Sequence, residues 1–419
     1  MLIRPGIVFK KALFILIVIV HTTNAQTHIS FQDALVIARK NNLFFLAQKY
    51  NTDLVKADII TASLRPNPSL NLSAEQVINS KCFEENTGAF DPANRQSNIQ
   101  VGKILQVAGQ RKYKIHKAEK DVDIESANLS DYERNMLFDV ANQWLDAWFA
   151  LEKLEIVQRA KINSDTLLNV NQIRLRNQVI TTTEFLRTSI KADQYQLMLR
   201  KSLQEYISEL FSLKQLLGTS DSIVISDTEP VFRTSLPSTL DSAILYALHN
   251  RTDLLINLRA IEAAKVNLDL QKAIAFPQPE IGLNYNPQNK VPYLGAYLQF
   301  PVPVFDRNQG QVTRAKLQIT QSESFLKAYQ ARVQNEVRSA YMEYQTNAAT
   351  FQKYHLIYMQ SETVLNTVRL SYLKGGTTIL DYLEAERDWF EMQNQYYQAL
   401  YDFRQSYIKV LIACNLISL

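Results

Sequence analysis

The residues with the clearest chemical potential are carboxylates set close to two turn signals. Asp381 and Glu384 follow Lys374-Gly375-Gly376-Thr377 and stand three positions apart, which on a helix puts both on one face. The plain reading of that face is a solvated one, with Arg387 and Asp388 near enough to pair locally. Upstream, Glu184 and Arg187 repeat the spacing after Asn177-Gln178-Val179-Ile180-Thr181. Groups suited to catalysis are scattered. Past the N-terminal segment the histidines are His28, His116, His249 and His355, and no HExxH, GxSxG, phosphate-loop or paired-cysteine pattern occurs. No enzyme activity, cofactor or bound metal is expected. His355 continues an apolar helical stripe and reads as a packed or pore-facing side chain. Cys82, in a polar loop, and Cys414, in the last helix, give no disulfide framework and are expected to be free or inert thiols.

The elements that must position these carboxylates are long helices. Gln311 to Lys374 and Gln110 to Leu217 contain no Gly or Pro. The first of these runs, if helical, is roughly 95 Å long, several times an ordinary globular helix. Both carry apolar residues at spacings of four and three: Val140, Trp144, Ala147, Leu151 and Leu154 in one, Val337, Tyr341, Ala348 and Phe351, with Tyr344 between, in the other. That is the period of a coiled-coil seam. With only 10 Gly and 12 Pro in 419 residues, long helices and few loops are expected throughout.

The plan is written twice. Phe31 to Leu64 reads as a helix capped by Ser30 with Asp33 reciprocating, and is stopped at Arg65-Pro66-Asn67-Pro68. Leu70, Leu72 and Ala74 then alternate with polar residues, as do Ile99, Val101 and Leu105 after a long polar loop. A long helix, Ala108–Leu175, and a shorter one, Thr182–Leu217, follow. Residues 219–239 form a linker, after which Leu240 to Ile274, Phe276-Pro277-Gln278-Pro279, two further alternating runs and the second long helix repeat the series. The short helices of the first copy, Asp33–Leu64 and Thr182–Leu217, together match its long one, so two short helices are expected to lie end to end along a long one. Four strands cannot close a barrel, and an open edge in lipid leaves backbone groups unpaired. If the strands lie in a membrane, three chains would supply twelve, an even number within the known range.

Arg4, Lys10 and Lys11, the apolar run Ala12 to Val20 and Thr23-Asn24-Ala25 fit a secretory signal cleaved after Ala25. Its removal lowers the formal charge from +4 by its three basic residues, so nucleic acid is not an expected partner. The expected division is therefore a signal peptide at 1–25, a first repeat at 26–218, a linker at 219–239 and a second repeat at 240–419.

On these features, above all the duplicated helix–hairpin–long helix–helix plan, the mature chain resembles the TolC family of outer-membrane efflux proteins. The phrase Pro301-Val302-Pro303-Val304-Phe305-Asp306-Arg307-Asn308-Gln309-Gly310 is similar to the CzcC-like branch, which serves heavy-metal efflux. The resemblance implies a mainly α fold with a small β part. Long antiparallel coiled-coil helices would form an α-barrel across the periplasm, and four strands per chain would join a trimeric twelve-stranded barrel in the outer membrane. It implies a homotrimer that meets a periplasmic adaptor and an inner-membrane resistance-nodulation-division pump. It also places a pore constriction at Asp381, Glu384, Glu184 and Arg187, with adaptor contacts at Val179, Ile180, Thr181, Gly375, Gly376 and Thr377. A ring of such carboxylates favours cations, and an Arg187 ion pair to an acidic neighbour is one way to hold the entrance shut. Drug efflux, type I secretion and a pore-free periplasmic coiled-coil scaffold remain alternatives on sequence alone.

Overall fold

A computed structural model describes residues 27–227, 234–287 and 291–417. The expected signal segment lies outside the described residues. A short strand β1 (Thr27–Ile29) leads into helix α1 (Phe31–Asn41). Ser30 accepts a hydrogen bond from Asp33 N at 3.2 Å while the Asp33 carboxylate accepts from Ser30 N at 3.1 Å, so the expected capping box is present. The predicted single helix 31–64 is broken. Asn42, at φ −59° and ψ 118°, ends α1, and its side-chain oxygen accepts from Phe45 N at 2.8 Å to start α2 (Leu43–Ser63). Strands β2 (Ser69–Gln76) and β3 (Arg95–Ile104) follow, then α3 (Gln110–Arg176) and α4 (Thr182–Leu217). At 67 residues α3 is about 100 Å long.

The stretch expected as a plain linker carries β4 (Ile223–Ile225), which pairs in parallel with β1. Three-residue strands are too short to leave an alternating pattern. The second half then repeats the first with α5 (Leu240–Asn250), α6 (Thr252–Ile274), β5 (Glu280–Asn286), β6 (Tyr293–Gln299), α7 (Gln309–Leu373) and α8 (Ile379–Ala413). The predicted helix 240–274 is also broken, at Arg251 (ψ 131°). Neither break has a Gly or Pro, and side chains fix both. Asn42 Nδ2 donates to Leu216 O at 2.7 Å, at the end of α4. Arg251 donates to Asp253 and Glu336, both at 2.6 Å.

As expected from length, α2 and α4 both pack along α3, and α6 and α8 along α7. The largest core lies where α1, β1, β4 and the ends of α4 and α8 meet the middle of α3. Trp144 is fully buried there, and its Nε1 donates to Ile29 O at 3.1 Å. Val140 and Ala147 of the predicted seam are buried in the same core. A second core joins Ala243 and Ala247 of α5 to Val333, Val337 and Tyr341 of α7 and to Cys414. Burial pushes the Cys414 thiol up to about 11, whereas Cys82 is exposed.

The four long strands form one antiparallel sheet in the order β2-β3-β5-β6. The two hairpins join across the duplication through β3 and β5, where Gly102 faces Gly282. A Cβ on Gly102 would stand 2.0 Å from Glu280 Oε1, so glycine leaves room for the Glu280 carboxylate. Leu70, Leu72, Leu283, Leu294 and Leu298 are exposed on this sheet. The outer strands β2 and β6 each keep one edge unpaired among the described residues. No helix among the described residues is long and apolar enough to cross a membrane.

Candidate functional site

The residues singled out in sequence gather at the far ends of the long helices, where α3 turns into α4 and α7 into α8. Both turns close through the same backbone bonds. In the first, Gln178 N donates to Leu175 O at 3.0 Å and Val179 N to Arg174 O at 2.9 Å. In the second, Gly375 N donates to Tyr372 O at 3.1 Å and Gly376 N to Ser371 O at 2.8 Å. These are helix ends closed by a left-handed residue. Gly375 holds φ 79° and Gln178 holds φ 59°. The first turn has no glycine, and a glutamine takes the left-handed position there.

The next helix starts identically in each turn. Thr181 Oγ1 accepts from Glu184 N at 3.2 Å, and Glu184 Oε2 accepts from Thr181 N at 2.7 Å and Thr181 Oγ1 at 2.9 Å. Thr378 Oγ1 accepts from Asp381 N at 3.2 Å. Asp381 Oδ2 accepts from Thr377 Oγ1 at 2.6 Å, Thr378 Oγ1 at 2.7 Å and Thr378 N at 3.0 Å. Glu184 and Asp381 are thus the third residues of capping boxes. The Thr181 backbone and hydroxyl hold the Glu184 carboxyl below its ordinary range, and the Thr377 and Thr378 donors do the same for Asp381. Both are therefore fixed negative charges at helix N-termini, where the dipole favours them.

Glu384 is exposed and pairs with Arg387 at 3.4 Å, while Arg387 also reaches Asp388 at 3.1 Å. Arg187 lies one turn beyond Glu184, and its charge helps to lower the Glu184 carboxyl. It forms no ion pair among the described residues. Val179, Thr181, Gly375 and Gly376 are exposed, and Ile180 and Thr377 half-buried.

Sequence reasoning missed what ties the two turns together. Arg174 Nη2 donates to Leu373 O at 3.0 Å and its guanidinium lies 4.8 Å from the centre of the Tyr372 ring. A cation at the last carbonyls of α7 satisfies groups the helix cannot. Behind it, Tyr372 Oη donates to Asn171 Oδ1 at 2.8 Å and Asn171 Nδ2 to Thr188 Oγ1 at 2.8 Å. Asn171 and Thr188 are fully buried. The one signal for this chain of bonds was a polar Asn one turn beyond Leu167 on the same helix face.

A family model described as outer membrane efflux protein matches residues 34–219 and 244–413. The cobalt-zinc-cadmium resistance protein CzcC of Cupriavidus metallidurans is 19% identical over 378 residues, covering 88% of this chain and 85% of that protein. Among solved structures, those of CusC, described with its transmembrane channel formation, superpose with a TM-score of 0.76 at 17% identity over 92% of this chain and 91% of that one. The open state of the Neisseria gonorrhoeae MtrE outer membrane channel gives a TM-score of 0.72 at 15% identity, covering 92% and 88%.

Proposed function

The chain belongs to the outer membrane efflux protein family, and from that premise we propose that it is the exit duct of a tripartite efflux assembly carrying heavy-metal cations. The observation that carries this reading is the four-stranded sheet with two open edges and exposed leucines, set at one end of helices about 100 Å long. Three copies pair those edges and close a twelve-stranded barrel in the outer membrane, and their twelve helices enclose a periplasmic tunnel. The functional unit is a homotrimer. The signal peptide 1–25 is removed, repeats 26–218 and 240–419 form the wall, and 219–239 connects them.

In this reading the tunnel narrows at Asp381, Glu384, Glu184 and Arg187. Three copies of Asp381 and Glu184, ionised near neutral pH, make a cation-attracting ring. Arg387 moderates Glu384, and Arg187 is free to pair with a carboxylate of a neighbouring copy. The exposed turns Val179-Ile180-Thr181 and Gly375-Gly376-Thr377 face a periplasmic adaptor that is held by an inner-membrane resistance-nodulation-division pump. Likeness to the cobalt-zinc-cadmium resistance protein supports metal cations as cargo.

Planar-bilayer recording from detergent-extracted trimers tests the duct. Cation-selective pores are expected, and the double variant Asp381→Asn, Glu384→Gln should lower that selectivity. A sample that stays monomeric and forms no pores would sink the reading. A deletion strain tests the cargo, with hypersensitivity to zinc, cobalt or cadmium expected.

A further inference from the structure

One carboxyl group in the described chain is buried without any partner. Glu386, in the second turn of α8, is 2% exposed, and neither of its side-chain oxygens has a hydrogen bond. Such a group is costly when charged. It sits among other buried polar atoms that are equally unpaired: the Tyr195 hydroxyl on α4, and Trp389 Nε1 and both amide atoms of Gln393 on α8. The neighbouring core of Leu167, Leu365, Tyr372, Ile379, Tyr382 and Trp389 is apolar or aromatic. A cluster of this kind lies directly behind the turns that form the proposed tunnel entrance.

We propose that Glu386 is a proton-operated latch on these turns: neutral, it lets α8 close against α4, and ionised, it drives water into the seam and loosens both turns. The charged and titratable groups around it are few. On α4 they are Lys191, whose ammonium lies 4.6 Å from the centre of the Tyr195 ring, and Tyr195 itself. On α8 the group is Tyr382, and on α7 Arg369 and Tyr372 act on Tyr382. On α3 the buried Ser164, Leu167 and Asn171 are neutral, and Lys161 and Asp165 pair with each other. Lys191 is thus the one cation that favours the ionised form of Glu386, and it makes no ion pair with it.

Burial, opposed weakly by Lys191, raises the Glu386 carboxyl from 4.5 to about 7. A group raised in this way keeps its proton in the closed bundle after the opened form has lost it. Closure is therefore strongest below 4.5, weakens as pH rises to about 7, and changes no further above that. Only the consequence for conduction rests on the duct reading.

Hydrogen exchange on full-length, detergent-extracted protein tests the latch, with rates corrected for their intrinsic pH dependence. In wild type, opening of peptides spanning 182–200 and 379–395 should rise about tenfold per pH unit between pH 5 and 7 and then level off. Glu386→Gln should remove that slope and hold the protection seen in wild type at acid pH, and Glu386→Leu should also be flat. A flat wild-type profile, or the wild-type slope persisting in Glu386→Gln, overturns the latch whether or not the variants conduct. Absence of trimeric pores would instead overturn the duct and leave the exchange result standing.

Discussion

At their far ends the two halves of the chain follow one backbone path, and behind those ends they differ. Each turn uses a left-handed residue, the same carbonyl acceptors and a threonine-led capping box. The side chains that brace them are not duplicated. Asn171 and Thr188 brace the first turn; 197 positions later stand Val368 and Ala385. Glu386 occupies α8 where α4 has Ser189. The halves share backbone geometry but not the side chains that join them: Arg174 of the first donates to Leu373 O of the second, and Tyr372 of the second donates to Asn171 of the first. Asymmetry of this kind lets two similar hairpins lock to each other rather than each to itself.

The hinge between the short helices offers the largest test of that difference. Asn42 breaks the first half with a neutral cap. Arg251 breaks the second with a guanidinium whose side chain is 4% exposed. Burial pushes Asp253 and Glu336 up, but the Arg251 bonds and charge, joined at Glu336 by Arg332, outweigh it and hold both carboxyls below their usual range. Arg251→Ala leaves Asp253 with only the Leu254 N–H and the charge of Arg134, and Glu336 with Arg332 alone, so a loss of about 3 kcal/mol is expected. Asn42→Ala removes one cap and one donor and should cost about 1–2 kcal/mol. Denaturant unfolding of the extracted protein reads both. Equal losses would show that the two hinges are energetically the same device.

The brace gives the next largest effect. Asn171→Val installs the residue type found at position 368 and leaves the Tyr372 hydroxyl without its acceptor and Thr188 without its donor. A loss of about 2 kcal/mol is expected. Adding Thr188→Ala and Tyr372→Phe removes the stranded groups and should recover most of it, because replacing all partners is far cheaper than replacing one. A triple variant no better than the single one would mean that Asn171 acts by shape alone.

How much of this was legible follows from the kind of signal each feature leaves. Ser30 and Asp33 announce a capping box in sequence, and Thr181-Thr182-Thr183-Glu184 and Thr378-Ile379-Leu380-Asp381 carry the same pattern. Reading Asp381 and Glu384 as one exposed face passes over it. The four long strands, the long helices and their pairing were legible because period and length are properties of whole segments. The breaks at Asn42 and Arg251 were not, since the apolar stripe runs through them and the cause lies in contacts with Leu216 and Glu336, distant in sequence. Arg174 is likewise unremarkable until Leu373 is placed beside it.

The capping boxes predict a smaller, acid-dependent effect in both halves. Glu184 and Asp381 hold their protons less tightly folded than unfolded, so their contribution is full above ordinary carboxyl values and is lost as pH falls through the lowered ones. That is opposite in sign to Glu386, whose effect runs between 4.5 and about 7. Thr181→Ala and Thr378→Ala should each loosen their own turn by about 1 kcal/mol near neutral pH and reduce its acid sensitivity, as read by exchange at the start of α4 and α8, while the backbone N–H of residue 181, and the Thr377 hydroxyl with the backbone N–H of residue 378, still donate to the carboxylates. Loosening of both turns by either variant would make the two one cooperative unit.

The smallest effect bears on the left-handed position itself. Nothing lies within 4 Å of a Cβ built on Gly375, so Gly375→Ala meets no side-chain clash and its cost is the backbone alone. A non-glycine residue loses about 1–2 kcal/mol in that conformation, and the less flexible unfolded chain returns about 0.4–1, leaving a net loss of roughly 0.5–1 kcal/mol. Gln178→Gly is the same exchange in reverse and should stabilise the first turn by a similar amount. Opposite shifts of matched size at the two turns would establish that Gln178 contributes nothing beyond its backbone. A Gln178→Gly variant that gains no stability would instead give the glutamine side chain a stabilising contact of its own, and the two turns would then differ in kind as well as in residue.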